Sequence, residues 1–175
     1  GSHYNVHIRY SYDPEVPKVG KGKAFKNALL NGAINRKKRC IVGYPDDLIL
    51  YKSAPLELMS RHLYYRSKYP HILVTILVVP YIYSPYGMVK IDGPFIREFR
   101  EKPRINQPAN TGVFVMEPGG YRYVCDLIDI HSPEAQEIED TVFPVRAKEG
   151  RIAYHMLPEG EGEVWIPVNT YKEWK

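Results

Sequence analysis

The run "HILVTILVVP", His71 to Pro80, constrains this chain more than any other stretch. It is almost wholly apolar and rich in β-branched residues, without alternating polar positions. Such a strand has no face to show to water, so it belongs inside a sheet covered on both sides. Helices provide that cover in layered α/β folds, and helical patterns surround the run. "KAFKNALLNGAI" (23–34) places Phe25, Ala28, Leu29 and Ala33 on one face. "APLELMSRHLYYRSKY" (54–69) has helical spacing through Leu56, Met59, Leu63 and Tyr64, and its Pro55 suits a first turn. "GYRYVCDLIDI" and "IEDTVFPVRAKEG" read as later helices.

The strand patterns complete the picture. "YNVHIRYSY", from Tyr4, alternates as a half-buried strand does, and "DPEVPKVGKG" after it is a Pro and Gly loop. "RCIVGY" reads as a short buried strand. "YGMVKI", the turn "DG" and "FIREFRE" make a hairpin, and "TGVFVME", "RIAYHML" and "EVWIP" are further strands. Strand and helix in alternation predict an α/β fold with a mixed, mostly parallel sheet and helices on both faces. Ligands of such sheets gather at the carboxyl ends of strands. Asp46 and Asp47 in "CIVGYPDDLIL" sit at such an end, where two acids either begin a turn or hold a cation.

With 175 residues, 44% of them hydrophobic and 25% charged, the chain has apolar content for one domain, 1–175. No apolar run has the length of a membrane span and no leader pattern is found, so the sequence reads as a soluble, cytoplasmic protein with no membrane partner. Cys40 and Cys125 have no metal-type neighbours and read as buried free thiols. The net charge of +4 includes the basic run "NRKKR" (35–39). A nucleic-acid surface needs a longer basic stripe with interleaved aromatics, so no nucleic-acid partner is expected.

Four stretches in order, "VGKGKAFKNAL", "VGYPDDLIL", "YGMVKIDGPFIREFREKP" with "ANTGVFVMEP", and "IEDTVFPVRAKEGRIAYHM" leading into "VWIPVNTYKEW", resemble the sugar-phosphate nucleotidyltransferases, or NDP-sugar pyrophosphorylases. The resemblance implies their Rossmann-like nucleotidyltransferase fold. It also implies their reaction, in which a nucleoside triphosphate and a sugar 1-phosphate give an NDP-sugar and pyrophosphate with Mg2+. Gly20 looks like the glycine of the nucleobase loop, and Lys23, also placed at the nucleotide, departs from the usual small residue. Asp46 resembles the catalytic aspartate that binds the divalent ion, while Asp47 reads as a helix-initiating or supporting acid. Tyr86 and Gly87 in "YGMV" resemble the family's "YGVV", where the glycine lets the sugar lie against the main chain. Glu101 would accept from sugar hydroxyls, and Lys102, counted among the catalytic residues, would meet the sugar phosphate. Asn110, Thr111 and Gly112 resemble the turn that closes over the sugar. Taken singly, these stretches also read as an ordinary loop, a turn and an exposed strand end with salt bridges.

Two features depart from the family pattern. A second metal-binding aspartate stands in "W-x-D-x-x-T", but here "WIPVNT" keeps Trp165, Asn169 and Thr170 and has Pro167 at the ligand position. Proline offers no side-chain oxygen and no N–H, so the ion would rest on Asp46 and substrate oxygens. The family's glycine-rich phosphate loop has no counterpart in these residues, and "GSHYNVHIRYSYDPE" resembles a stretch that normally follows that loop. The chain therefore reads as an N-terminally truncated, later part of a catalytic domain. Three functional readings stay open: a nucleotidyltransferase, weak or inactive as this chain alone; a catalytically impaired sugar-nucleotide-binding or regulatory protein; and a generic α/β interaction domain. The resemblance also allows a homo-oligomer.

Overall fold

The computed structural model describes residues 2–159 and 164–168. In chain order its helices are α1 (Gly20–Leu30), α2 (Ala54–Lys68), α3 (Pro118–Leu127), α4 (Ile138–Thr141) and α5 (Phe143–Lys148). Its strands are β1 (Cys40–Val42), β2 (Asp47–Ile49), β3 (Val74–Val79), β4 (Ile82–Tyr83) and β5 (Met88–Asp92), followed by β6 (Phe95–Arg100), β7 (Arg104–Ile105), β8 (Ala109–Met116), β9 (Ile152–Met156) and β10 (Trp165–Pro167). The main sheet has the order β1-β8-β3-β9, and the remaining strands form the pairs β10-β2, β4-β7 and β5-β6.

The apolar run does lie inside the sheet, with β3 flanked by β8 and β9. Alternate residues of β3 enter two cores. Val74 and Ile76 pack with Phe114 and Met116 of β8 against Phe25 and Leu29 of α1 and Tyr121 and Val124 of α3. Leu77 and Val79 pack with Val115 and Leu157 against Ala54 and Leu58 of α2. Each large side chain buried this way contributes roughly 1.5–3 kcal/mol. Local chemistry sets the ends of the helices. Pro55 and Pro118 sit in first turns. Lys26 of α1 donates to the last carbonyls of α3, Cys125 O at 2.7 Å and Ile128 O at 2.5 Å.

Several expectations need correction. β8 runs antiparallel to both β1 and β3, and only β3 and β9 form a parallel pair. The sheet is therefore mixed, as expected, and β1, β3 and β9 point the same way, but most of its pairs are antiparallel. β1 is an edge strand with Ile41 exposed, because strand order is set by distant partners. Residues 6–14 form no strand, and Tyr4, Val6, Ile8, Tyr10 and Tyr12 are all exposed. Their alternation meets no sheet edge that could pair with it. α2 turns Ala54, Leu58 and His62 inward and leaves Leu56, Leu63 and Tyr64 in water. "IEDTVFPVRAKEG" is broken into α4 and α5, with Pro144, which lacks a donor, in the first turn of α5. Both cysteines are free but only half-buried.

His62 is buried because partners from two other elements meet it. Its Nδ1 lies 2.8 Å from Thr75 Oγ1 of β3 and its Nε2 lies 3.1 Å from Glu117 Oε1, just past β8. Glu117 also pairs with Arg39, whose Nε is 2.9 Å away. Burial holds the imidazole below its ordinary value of 6.5, against the pull of Glu117. The folded state thus keeps His62 neutral, while the unfolded chain binds a proton near the ordinary value. Stability from this group is complete above that value and is lost as pH falls below it. Urea unfolding should show a lower midpoint at about pH 5.5 than at about pH 7.5, and His62→Gln should narrow the gap.

Candidate functional site

Because β8 opposes its neighbours, its first residues lie at the carboxyl ends of β1 and β3, with Val42 opposite Phe114 and Val79 opposite Ala109. Asn110, Thr111 and Gly112 are thereby brought to the loop after β1 that carries Asp46 and Asp47. Thr111 is buried, and its hydroxyl donates to Leu77 O at 2.9 Å. The Asn110 side-chain oxygen accepts from the Gly112 N–H at 2.9 Å. Gly112 has φ +77°, and a Cβ there would collide with Asp47 Oδ2. Glycine is needed so that the carboxylate can rest on the main chain.

Asp47 opens strand β2 rather than a helix, and β2 pairs with β10 so that Pro167 stands opposite Asp47. The Trp165 indole N–H donates to Asp47 Oδ1 at 2.9 Å, and the Val168 N–H donates to Asp46 O at 2.7 Å. Residues more than a hundred positions apart are thus locked together at the end of β1. Burial pushes the Asp47 carboxyl up; the Trp165 hydrogen bond opposes this and the adjacent Asp46 adds to it. The Asp46 side chain is exposed. Asn169 and Thr170 lie outside the described residues.

A second set of side chains adjoins this turn and has little signal in the sequence. Lys21 Nζ stands 4.1 Å from the Tyr44 ring centroid and 3.3 Å from Glu139 Oε1. The Tyr44 hydroxyl is pushed well up by burial and by Glu139, yet no well-formed hydrogen bond joins the two groups among the described residues. Gly20, at φ +71°, is pressed against the Gln136 backbone, where a Cβ would come within 2.6 Å of the carbonyl oxygen. The Lys21 N–H donates to Glu137 Oε2 at 2.8 Å, so protein acceptors already meet the start of α1. Lys23 is wholly buried and donates to Lys18 O at 2.8 Å and Ser132 O at 2.5 Å. Its ammonium ties the loop before α1 to the segment after α3.

The remaining residues singled out in the sequence form another group. A Cβ at Gly87 would lie 2.8 Å from the Phe99 ring and 2.9 Å from Glu101 Oε2, so the absent side chain leaves room for both beside the main chain. Tyr86 is exposed, and its backbone is held by Ser84, whose hydroxyl donates to Tyr86 O at 2.9 Å. Ser84 in turn donates its N–H to Pro103 O at 3.0 Å, joining the "YG" and "EKP" segments. Lys102 is exposed and has φ +44°, which costs about 1–3 kcal/mol in a residue that carries a side chain.

Among the described residues no three His, Cys, Asp or Glu side chains are grouped to hold a metal ion. Mg2+ commonly takes one or two carboxylates and fills its sphere with water and phosphate oxygens. The exposed Asp46 beside Asp47 suits that limited role, with Asp47 already accepting from Trp165.

No protein-family model and no curated protein matches the sequence. Among solved structures, the chain is similar to a crystal structure assigned as a glucose-1-phosphate thymidylyltransferase from Bacillus anthracis, in complex with sucrose. The TM-score is 0.63 at 18% identity, and the match covers 99% of this chain and 64% of that one. The fold is therefore nucleotidyltransferase-like, and the chain spans 64% of that neighbour's length.

Replacing Gly112 by Ala should cost about 1–3 kcal/mol, because the new Cβ both resists the positive φ and displaces Asp47. Urea unfolding monitored by tryptophan fluorescence checks this. A change below about 0.5 kcal/mol would show that Asp47 is not held on Gly112.

Proposed function

We propose that this chain carries the sugar-binding and part of the nucleotide-binding surface of a sugar-1-phosphate nucleotidyltransferase. The observation that carries this reading is the meeting of "YPDD", "NTG" and "WIPV" at the carboxyl end of β1 through the Asp47–Trp165 hydrogen bond and the Gly112 contact. Three stretches singled out for one chemistry have no reason to converge if each is an unrelated turn.

In this reading the sugar 1-phosphate attacks the α-phosphate of a nucleoside triphosphate, and pyrophosphate leaves. Such transfer depends on positioning and on neutralising charge more than on an acid or base. Glu101, beside Gly87, accepts hydrogen bonds from sugar hydroxyls, and Tyr86 and Asn110 border the ring. Lys102 holds the sugar phosphate through its ammonium group. Gly20 lies at the nucleobase end of the site, while Lys23 acts by fixing the loop that carries Gly20. Asp46, with Asp47 beside it, would hold Mg2+, which supplies charge neutralisation at the phosphates when bound.

A second reading, an impaired sugar-nucleotide-binding protein, is favoured by one observation. The residue paired with Asp47 is Pro167, which offers no oxygen from its side chain. Pyrophosphate release from a panel of nucleoside triphosphates and sugar 1-phosphates with Mg2+ separates the two. Turnover that falls roughly 10²-fold or more in Asp46→Asn and in Lys102→Ala supports the enzyme, as does a gain in Pro167→Asp. NDP-sugar binding without pyrophosphate release supports the binding protein, and neither activity would remove both readings.

A further inference from the structure

The end of the sheet opposite the candidate site gathers basic side chains from four places in the chain. Cys40, Met116, Val74 and Ile152 form one row across the four strands. β1, β3 and β9 begin at this row and β8 ends there. The run 35–39 therefore leads into it before β1, Arg66 and Lys68 stand in the last turn of α2 before β3, and Arg151 immediately precedes β9. Arg122 lies in α3, which leaves the row just after Glu117. Contacts tie these segments together. The Tyr121 hydroxyl donates to Lys38 O at 2.6 Å, and the Leu73 N–H donates to Arg151 O at 3.1 Å. Arg39 Nε and Arg66 Nε stand 2.9 Å and 3.9 Å from the same oxygen, Glu117 Oε1, so one carboxylate serves two guanidinium groups. Among the described residues, Arg36, Lys37, Lys38, Lys68, Arg122 and Arg151 have no carboxylate partner. Eight cations against one paired carboxylate exceed the chain's whole net charge of +4, so the rest of the molecule is acidic in balance.

Aromatic side chains stand among these charges. The last turns of α2 carry Tyr64 and Tyr65, and Tyr69 follows directly; Tyr64 and Tyr69 are half-exposed. Arg61 lies 5.9 Å and 6.0 Å from the centroids of the Tyr64 and Tyr65 rings, and the Tyr69 ring meets the His71 ring edge-on. We propose that this end of the sheet is a docking surface for single-stranded nucleic acid. A flexible phosphodiester strand uses both features, since its phosphates meet cations and its bases stack on aromatic rings. An anionic membrane calls for Trp, Phe or Leu side chains that enter the acyl region, whereas the rings here end in hydroxyls. An acidic protein segment has no bases to lay on them. A duplex reader sets a helix or ribbon into a groove, but these cations come from loops and helix ends around the strand termini. In the sequence "NRKKR" alone is too short a stripe for such a partner; the pairing of β8 with β1 and β3 adds the other cations and the rings. The length of β3, roughly 20 Å, separates this surface from Asp46 and Asp47, so a bound strand leaves the candidate site open whether or not that site is catalytic.

Fluorescence anisotropy of a labelled oligouridylate of about 20 nucleotides should show micromolar binding by the full chain at about 50 mM salt. The logarithm of the binding constant should fall against the logarithm of salt with a slope of about −3 or steeper, the value for about four or more phosphates. Lys37→Glu combined with Lys38→Glu should weaken binding about tenfold or more and flatten the slope. Lys52→Glu combined with Lys90→Glu makes the same change in net charge away from this end and should weaken binding less than about threefold. Tyr64→Ala combined with Tyr69→Ala should weaken it about fivefold or more with the slope unchanged, as loss of stacking does. All three pairs should keep the circular dichroism spectrum of the unmodified protein. Absence of binding would overturn the proposal, as would equal losses in the two lysine pairs or full affinity in the tyrosine pair. Tighter binding to phosphatidylserine vesicles than to the oligonucleotide would assign the surface to a membrane. Competition by polyglutamate as strong as that by unlabelled oligouridylate would assign it to an acidic protein segment, and either result overturns the proposal.

Discussion

Strand β8 is the constraint from which the rest follows. It is wedged between β1 and β3 and runs against both, so its buried residues serve two cores while its beginning and end reach opposite ends of the sheet. At the beginning, Asn110 to Gly112 arrive where β1 and β3 finish, and a glycine at positive φ makes room for the Asp47 carboxylate. Just past its end, Glu117 gathers Arg39 and His62 and pins α2 to the sheet. If β8 ran parallel to its neighbours, the turn that carries "NTG" would lie at the far end of the sheet from Asp46 and Asp47.

The site is consequently a product of pairing rather than of any one loop. Asp47 is held by an indole from β10 and by the main chain of β8, and its own strand begins with it. Glu101 is exposed, and its carboxylate lies beside Gly87 of a different segment, where an added Cβ would come within 2.9 Å of it. In both places a glycine leaves room for a carboxylate close beside the backbone. The fold thus places one hydrogen-bonded acid, Asp47, an exposed acid, Glu101, and Lys102 at positive φ on strand ends.

The sequence made some of this plain, and the reasons differ from element to element. "HILVTILVVP" announced an interior strand because residues on both of its faces are apolar. The hairpin was legible because "DG" and period-two alternation are local signals. The inward face of α2 was misread, since His62 is buried only through Thr75 and Glu117, 13 and 55 residues away. Lys23 was placed at the nucleotide by the resemblance alone, and its burial against Ser132, 109 residues distant, has no local signal. The alternation from Tyr4 to Tyr12 specifies a strand only when a sheet edge stands beside it, and pattern alone cannot supply that edge. The antiparallel direction of β8 had no local signature at all.

In the proposed function the carboxyl end of β1 and the Gly87–Glu101 pair form one substrate surface. Hydrogen–deuterium exchange of the full chain with and without a panel of NDP-sugars tests it most directly, since exchange reports local opening segment by segment. The account predicts that one of these ligands, with Mg2+ present, slows exchange together in 43–48, 86–88, 100–103 and 109–113. Slowed exchange confined to other segments, or in only one of the two groups for every ligand, would contradict it.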